Sequence, residues 1–138
     1  MLLIRQAAVY APEYLGIKDV LICSNKIEAI EDHIDGEIPF CKVVDGHGKK
    51  LTPGFLDPHI HITGGGGEGS FHTQVPAVKL SELLEGGVTT VVGLLGTDGL
   101  TRNVENLIAQ AKSLKEQGLT VYALTGSYGY PSTTITGD

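Results

Sequence analysis

Residues 53–61 read PGFLDPHIH, and they end an apolar segment with two histidines. Phe55 to Ile62 predicts a β-strand that is buried on both faces apart from its polar terminal positions. His59 and His61 are two residues apart, so in a strand their side chains project from the same face. Imidazole is a favoured ligand of zinc and related ions. The stretch therefore predicts two ligands of one metal ion near the end of a strand.

Two simpler interpretations stay open beside the metal site. His59 and His61 can be one surface histidine and one core histidine, each hydrogen-bonded and chemically inert. Asp57, which precedes them, is either a cap for the strand end or a group that orients an imidazole.

A run of four glycines and a glutamate, Gly64 to Glu68, follows the histidines. Glycine has the widest backbone freedom, so the run predicts a flexible hinge that swings Glu68 over the site to pair with a substrate ammonium. The alternative is an ordinary solvated loop carboxylate. A phosphate-binding loop is disfavoured, because no GK[ST] follows and no helix begins directly after the run.

The organisation of the chain changes near residue 53. Before it, short apolar segments separated by turn residues predict strands at 2–10, 19–24, 27–31 and 41–45. After it, strands at 55–62, 88–95 and 119–125 alternate with helical patterns, which predicts a parallel α/β sheet. The first helix is predicted over 77–85, and the second follows Thr101 or Asn103 with an apolar stripe: Val104, Leu107, Ile108, Ala111 and Leu114. We therefore expect a β-rich, sandwich-like domain over 1–52 and an α/β domain over 53–138.

Polar residues cluster just beyond the carboxyl ends of the three predicted parallel strands, where α/β folds bind their ligands. They are His59, His61 and Glu68 after the first strand, Thr97 and Asp98 after the second, and Tyr128 after the third. Thr97 and Tyr128 can simply cap and pack. A tyrosine hydroxyl at this edge can nevertheless donate a hydrogen bond to a developing oxyanion.

Composition excludes several functional classes. The formal net charge of −6 argues against a nucleic-acid partner, which needs a basic face. No apolar run approaches the roughly 18 residues of a membrane-spanning helix. Two cysteines outside any CxxC spacing predict a reduced, cytoplasmic enzyme.

The blocks PGFLDPHIHITGGGGE, GVTTVVGLLGTDG and LTGSYGYPSTTITG together resemble one protein family. The HxH element resembles the amidohydrolase superfamily of metal-dependent hydrolases, and the GGGGE and GLLGTD blocks resemble its isoaspartyl dipeptidases. The resemblance implies a small β-sandwich beside a TIM-type (β/α)₈ barrel with two zinc ions at its mouth. It also implies hydrolysis of the β-peptide bond of isoaspartyl dipeptides by a hydroxide that bridges the zinc ions.

The resemblance further implies a role for each candidate residue. His59 and His61 match ligands of the more buried zinc ion. Tyr128 matches the tyrosine that polarises the scissile carbonyl, and Glu68 with the Gly66 backbone matches the group that binds the α-ammonium. The residues that match substrate contacts are Gly66, Glu68, Thr97 and Tyr128. An isoaspartyl dipeptide is thus the expected partner, without nucleic acid or membrane, and the complete enzyme is expected to be a homo-oligomer.

The family's remaining ligands have no counterpart in the sequence. Its zinc ions are bridged by a carboxylated lysine on the fourth barrel strand, and its catalytic aspartate comes later still. A (β/α)₈ barrel takes about 250 residues, so 138 residues are expected to be the N-terminal segment of the enzyme and inactive alone. One alternative is a non-catalytic fragment that oligomerises or complements a missing C-terminal part. Another is a dihydropyrimidinase-like amidohydrolase, although a cyclic imide has no ammonium for Glu68 to bind.

Overall fold

The computed structural model describes residues 1–137, which form two compact units: residues 1–53 and the residues from 54 onward. Both sheets and helices are present, so the chain has the mixed α/β class that the sequence predicts. A sandwich completed by further strands and an eight-stranded barrel remain predictions. The assignment of 1–52 and 53–138 as domains also remains a prediction.

The first unit is a five-stranded sheet in which four strands have the order β3-β2-β1-β4 and β5 also pairs with β1. The strands are β1 (Leu2–Tyr10), β2 (Tyr14–Cys23), β3 (Lys26–Glu31), β4 (Lys42–Asp45) and β5 (Lys50–Leu51). Strand β1 is antiparallel to β2 and parallel to β4 and β5. Strand β2 begins at Tyr14 rather than at the predicted Asp19, because pairing with β1 extends its apolar segment.

Asp19 is a buried polar residue of the first unit, with 1% of its surface exposed. Its carboxylate accepts the amides of Gln6 at 2.9 Å and Ile34 at 3.0 Å and lies 3.3 Å from the Arg5 guanidinium. Burial raises the pKa of Asp19, but the two amides and the charges of Arg5 and His33 outweigh it and hold the pKa below its usual value. This carboxylate therefore ties β1 and β2 to the segment that follows β3.

The second unit contains a three-stranded parallel sheet in the order β6-β7-β8. Its elements are β6 (Phe55–Ile60), α1 (Leu80–Glu85), β7 (Val88–Gly93), α2 (Val104–Glu116) and β8 (Thr120–Ala123), with a 3₁₀ turn at Phe71–Thr73. The predicted alternation of strand and helix is thus present, with shorter elements. No helix among residues 1–137 has the length and apolarity needed to cross a membrane.

Helix α2 is capped by Asn103, whose side chain accepts the amide of Asn106 at 2.8 Å. Asn103 is thus the cap and Thr101 is not. The predicted apolar stripe faces the core, with Val104, Leu107, Ala111 and Leu114 buried. Burial of this stripe contributes most of the stabilisation of the helix, because propensity alone is marginal over three or four turns.

The prediction that the first parallel strand is buried on both faces was wrong. Phe55 and Leu56 are 66% and 60% exposed. Helices α1 and α2 contribute to one continuous core with Val91 and Val121, so they cover the same face of the sheet. The strand also ends at Ile60, and its pairing with β7 is interrupted between Asp57 and Ile60.

Candidate active site

His59 and His61, here called the histidine pair, lie at the carboxyl end of β6. Their ring centroids are 5.7 Å apart, with the ring planes at 80°. With metal–nitrogen bonds of about 2.0–2.1 Å, two imidazoles on one tetrahedral metal have centroids roughly 5–6 Å apart. The separation of the pair therefore suits a shared metal ion.

The tautomer of His61 also suits a metal ligand. Its Nδ1 lies 3.1 Å from the backbone carbonyl oxygen of Leu94, which can only accept a hydrogen bond. Nδ1 therefore carries the proton and Nε2 keeps its lone pair, the arrangement that backbone carbonyls impose on metal-binding histidines. Asp57, in contrast, accepts the backbone amide of His59 at 3.0 Å, which is the strand-end role considered above.

Two glycines from different loops hold the ring of His61 between them. A Cβ atom on Gly65, after β6, would lie 3.2 Å from Cδ2 of His61. A Cβ atom on Gly96, after β7, would lie 3.3 Å from Cε1 of the same ring. Both distances are tighter than ordinary van der Waals contact, so the absence of side chains at these positions makes room for the imidazole. The sequence did not indicate Gly96.

The residues present fit a divalent metal in part. Neutral imidazoles at this separation suit zinc in donor type, and the hydrogen bond to Leu94 orients His61 for binding. Zinc takes at least three protein ligands in catalytic sites. Among residues 1–137, no cluster of three or more histidine, cysteine, aspartate and glutamate side chains has metal-binding geometry. The histidine pair therefore fits as two ligands of a larger set.

The glycine run at 64–67 packs closely against the segment 73–75, and Gly66 forms an antiparallel bridge with Gln74. Gly64 has a φ of 89°, and a Cβ atom on it would lie 2.1 Å from the carbonyl oxygen of Val75. Gly66 has a φ of 71°, and a Cβ atom on it would lie 2.5 Å from the carbonyl oxygen of Thr73. The conformational freedom of glycine is used here to pack backbone against backbone, and the hinge motion of this loop stays a prediction.

Glu68 and Thr97 come from different loops and form a hydrogen bond. The Thr97 hydroxyl donates to Oε1 of Glu68 at 2.5 Å. This bond is the main reason that the pKa of Glu68 lies below its usual value; the backbone amide of Glu68 acts in the same direction against desolvation, and so would His61 if its ring were protonated. The structure thus places an ionised carboxylate near the histidine pair. Thr97 therefore donates a hydrogen bond to this carboxylate, whereas the sequence also allowed it to be only a capping or packing residue.

Tyr128 lies in the loop after β8 and is 71% exposed. With Thr97 and Asp98 it lines a cleft of about 340 Å³ between the second and third loops of the sheet. Ser127 holds the loop closed, because its amide donates to the Thr133 carbonyl at 3.0 Å. The described residues that line this cleft do not include the histidine pair. Tyr128 therefore shares an edge with Thr97 and not a pocket with the histidine pair.

Arg102 and Gln74 were missed by the sequence reasoning. Asp98 lies 3.1 Å from the Arg102 guanidinium and accepts the Gln74 amide at 2.7 Å. The only sequence signal is the spacing of four residues between Asp98 and Arg102, which is typical of helix pairs and lies outside a helix here. The position of Gln74, 24 residues before Asp98, follows from the tertiary structure alone.

Comparison with known proteins identifies relatives of this chain. No family model matches the chain. The crystal structure of β-aspartyl dipeptidase from the thermophilic, keratin-degrading Fervidobacterium islandicum AW-1, in complex with β-Asp-Leu dipeptide, is 48% identical with a TM-score of 0.89. The match covers 99% of this chain and 36% of that chain.

Other relatives are less similar to this chain in sequence. A dihydroorotase of Listeria monocytogenes serotype 4a (strain HCC23) is 34% identical over 116 residues, which are 81% of this chain and 26% of the relative. The D-hydantoinase of a Thermus species has a TM-score of 0.58 at 23% identity, covering 93% of this chain and 26% of that chain, and shares the fold alone. The chain thus spans about a quarter to a third of the length of these relatives. Along nearly all of its length it is similar to β-aspartyl dipeptidase of the amidohydrolase superfamily, which confirms the resemblance that the histidine and glycine motifs indicate.

Proposed function

We propose that the protein hydrolyses the β-peptide bond of isoaspartyl dipeptides with zinc bound in part by His59 and His61. The observation that carries the proposal is the ionised Glu68, held by Thr97 near the histidine pair. An anionic group beside a metal site suits a substrate with both a free ammonium and a scissile amide. The identity of 48% to a β-aspartyl dipeptidase crystallised with β-Asp-Leu supports this choice of substrate.

The histidine pair would hold the metal, and His61 is oriented for this by the carbonyl of Leu94. A bound divalent metal lowers the pKa of water and polarises a carbonyl oxygen, which is the chemistry that amide hydrolysis requires. The resemblance implies two zinc ions in the complete enzyme, bridged by a carboxylated lysine. That lysine and the remaining ligands would come from polypeptide outside the 138 residues.

Glu68 and the backbone of Gly66 would bind the α-ammonium of the isoaspartyl residue. A carboxylate has about four acceptor positions, so the bond from Thr97 leaves room for an ammonium donor. The lowered pKa keeps Glu68 negative through the acidic range in which an ordinary glutamate begins to protonate. Thr97 would contact the substrate directly or through Glu68.

Tyr128 would donate its hydroxyl hydrogen bond to the oxyanion that develops from the scissile carbonyl. Its position beside Thr97 in the cleft between the second and third loops supports this role, and its exposure leaves the hydroxyl accessible. It is therefore the catalytic residue that we propose beside the metal ligands.

We also propose a cytoplasmic location and assembly into homo-oligomers. Cys23 and Cys41 are free thiols, as expected in a reducing compartment. The proposal of homo-oligomers rests on the family resemblance alone.

A second candidate function is hydrolysis of a cyclic amide, because a dihydroorotase is 34% identical. The two functions differ in the need for an ammonium-binding carboxylate. Protein produced from the complete gene should be assayed with β-Asp-Leu, α-Asp-Leu, dihydroorotate and a hydantoin, with and without a metal chelator. We expect chelator-sensitive turnover of β-Asp-Leu alone. Turnover of the cyclic amides without turnover of β-Asp-Leu would replace the first function by the second.

The variant Glu68→Gln tests the ammonium site. Loss of one hydrogen bond to a charged group costs about 1.5–3 kcal/mol, so KM for β-Asp-Leu should rise about 10- to 150-fold. Glu116→Gln, at the exposed end of α2, makes the same chemical change outside the site and should leave KM unchanged. An unchanged KM in Glu68→Gln would remove Glu68 from the proposal.

A further inference from the structure

Arg102 connects both ends of the loop that carries Glu68. Its Nε donates to the Thr63 carbonyl at 3.0 Å, and its two terminal nitrogens donate to the carbonyls of Gly65 at 3.4 Å and Val75 at 2.8 Å. The side chain is 11% exposed. A planar guanidinium can reach several acceptors in fixed directions at once, whereas a lysine ammonium acts as a point charge.

Asp98 directly follows Thr97 and pairs with Arg102, which lies in the same loop between β7 and α2. Its Oδ2 lies 3.1 Å from Nη1 of Arg102 and accepts the Gln74 amide at 2.7 Å. Its Oδ1 accepts the amides of Leu100 at 3.1 Å and Thr101 at 3.0 Å. The hydroxyl and amide of Thr101 are the main reason that the pKa of Asp98 is lowered to about 2. Asp98 is therefore an ionised partner of Arg102 over the whole physiological range.

We propose that Arg102, Asp98 and Gln74, the rim network, are positioning residues that set the distance between Glu68 and Thr97 and so determine recognition of a substrate ammonium. Thr97 directly precedes Asp98, and Glu68 lies within the loop that Arg102 ties down at 63, 65 and 75. This inference rests on the proposed function and adds to it the residues that arrange the binding group.

The charges of the network support a positioning role. Asp98 neutralises Arg102, so the negative charge of Glu68 remains available for a ligand. Burial of a guanidinium and a carboxylate is weak evidence for stability, because apolar side chains of similar size are often equally stable in such places. The ion pair instead fixes the orientation of the Asp98 carboxylate. Arg102 binds this carboxylate from the same loop after β7, and Gln74 binds it from the loop after β6.

The test is steady-state kinetics with β-Asp-Leu on protein produced from the complete gene, comparing wild type, Arg102→Lys and Gln74→Met. Misplacement of an ammonium-binding group weakens ground-state and transition-state binding alike, so KM should rise about tenfold while kcat changes less than about twofold. Lys112→Met removes an exposed positive charge from α2 and should match wild type. Gln74→Met removes only one side-chain amide and is the milder change. It therefore still tests the network if Arg102→Lys does not fold.

Hydrogen–deuterium exchange provides a readout that is independent of turnover. The Val75 amide donates to the Gly65 carbonyl at 2.8 Å and should exchange faster in Arg102→Lys, while the amides of β7 keep their protection. Wild-type KM in both variants, with or without faster exchange at Val75, would overturn the positioning role. Absence of β-Asp-Leu turnover in the wild-type protein would instead overturn the proposed function.

Discussion

The contact of Gly96 with His61 leads to a sharp prediction about metal binding. Replacing Gly96 by alanine places a Cβ atom 3.3 Å from Cε1 of the imidazole, where ordinary contacts begin near 3.4 Å. Neither Gly96 nor Gly65 has a positive φ, so alanine is free of backbone strain at both positions. The ring of His61 must then move by a few tenths of an ångström or the loop must retreat.

The size of the effect follows from how His61 is oriented. Its hydrogen bond to Leu94, 3.1 Å long, lies on the same ring edge as the new methyl group and would lengthen as the ring shifts. Disturbing the group that orients a metal ligand typically weakens metal binding about 10- to 100-fold, which corresponds to about 1.4–2.7 kcal/mol. We expect Gly96→Ala to fall in this range, and Gly65→Ala, with its 3.2 Å approach to Cδ2, to behave alike.

The assay is competition of metal-depleted protein with a chromophoric chelator for zinc, with the urea midpoint measured in parallel. Gly99→Ala is the matched control, because it makes the same substitution in the same loop where a Cβ atom meets nothing within 4 Å. Wild-type zinc affinity in both Gly96→Ala and Gly65→Ala would refute the reasoning. So would an equal loss of affinity in Gly99→Ala, since the effect would then not depend on contact with the ring.

Three further predictions concern the carboxylates and the isolated chain. Thr97→Val removes the main hydrogen bond that lowers the pKa of Glu68, so a carboxyl ¹³C titration should show this pKa rising towards 4.5, and no change would exclude Thr97 as the cause. Asp19→Ala leaves the amides of Gln6 and Ile34 without their acceptor, at about 1–3 kcal/mol each, so urea unfolding should show a loss of about 2–6 kcal/mol. Because the pKa of Asp19 is lowered in the folded state, its contribution is present above pH 3.8 and should disappear as the pH falls further, a dependence that Asp19→Ala should lack. The 138-residue polypeptide alone should not turn over β-Asp-Leu, because residues 1–137 supply only two histidine ligands, and turnover with stoichiometric zinc would contradict this.

Local patterns were sufficient for the elements and for much of the edge of the sheet. The stripe from Val104 to Leu114 predicted α2 because helical periodicity needs only one sequence segment. The positions of His59, Thr97 and Tyr128 followed from strand ends in the same way. The exposure of Phe55 could not be predicted. The sequence pattern of an apolar strand is the same whether helices cover one face of the sheet or both faces.

The sequence by itself determined which groups are available: the histidine pair, the carboxylate of Glu68, and the parallel alternation that brings three loops to one edge. Only the tertiary structure decided how these groups are held. The glycines after His61 predicted a hinge, and only the tertiary structure shows their backbone packed against Thr73 and Val75. Gly96 and Arg102 act on residues that are more than 30 positions away, through contacts that no local pattern encodes. For this reason the sequence indicated PGFLDPHIH as the metal-binding stretch, while the packing of two loops around His61 sets its geometry.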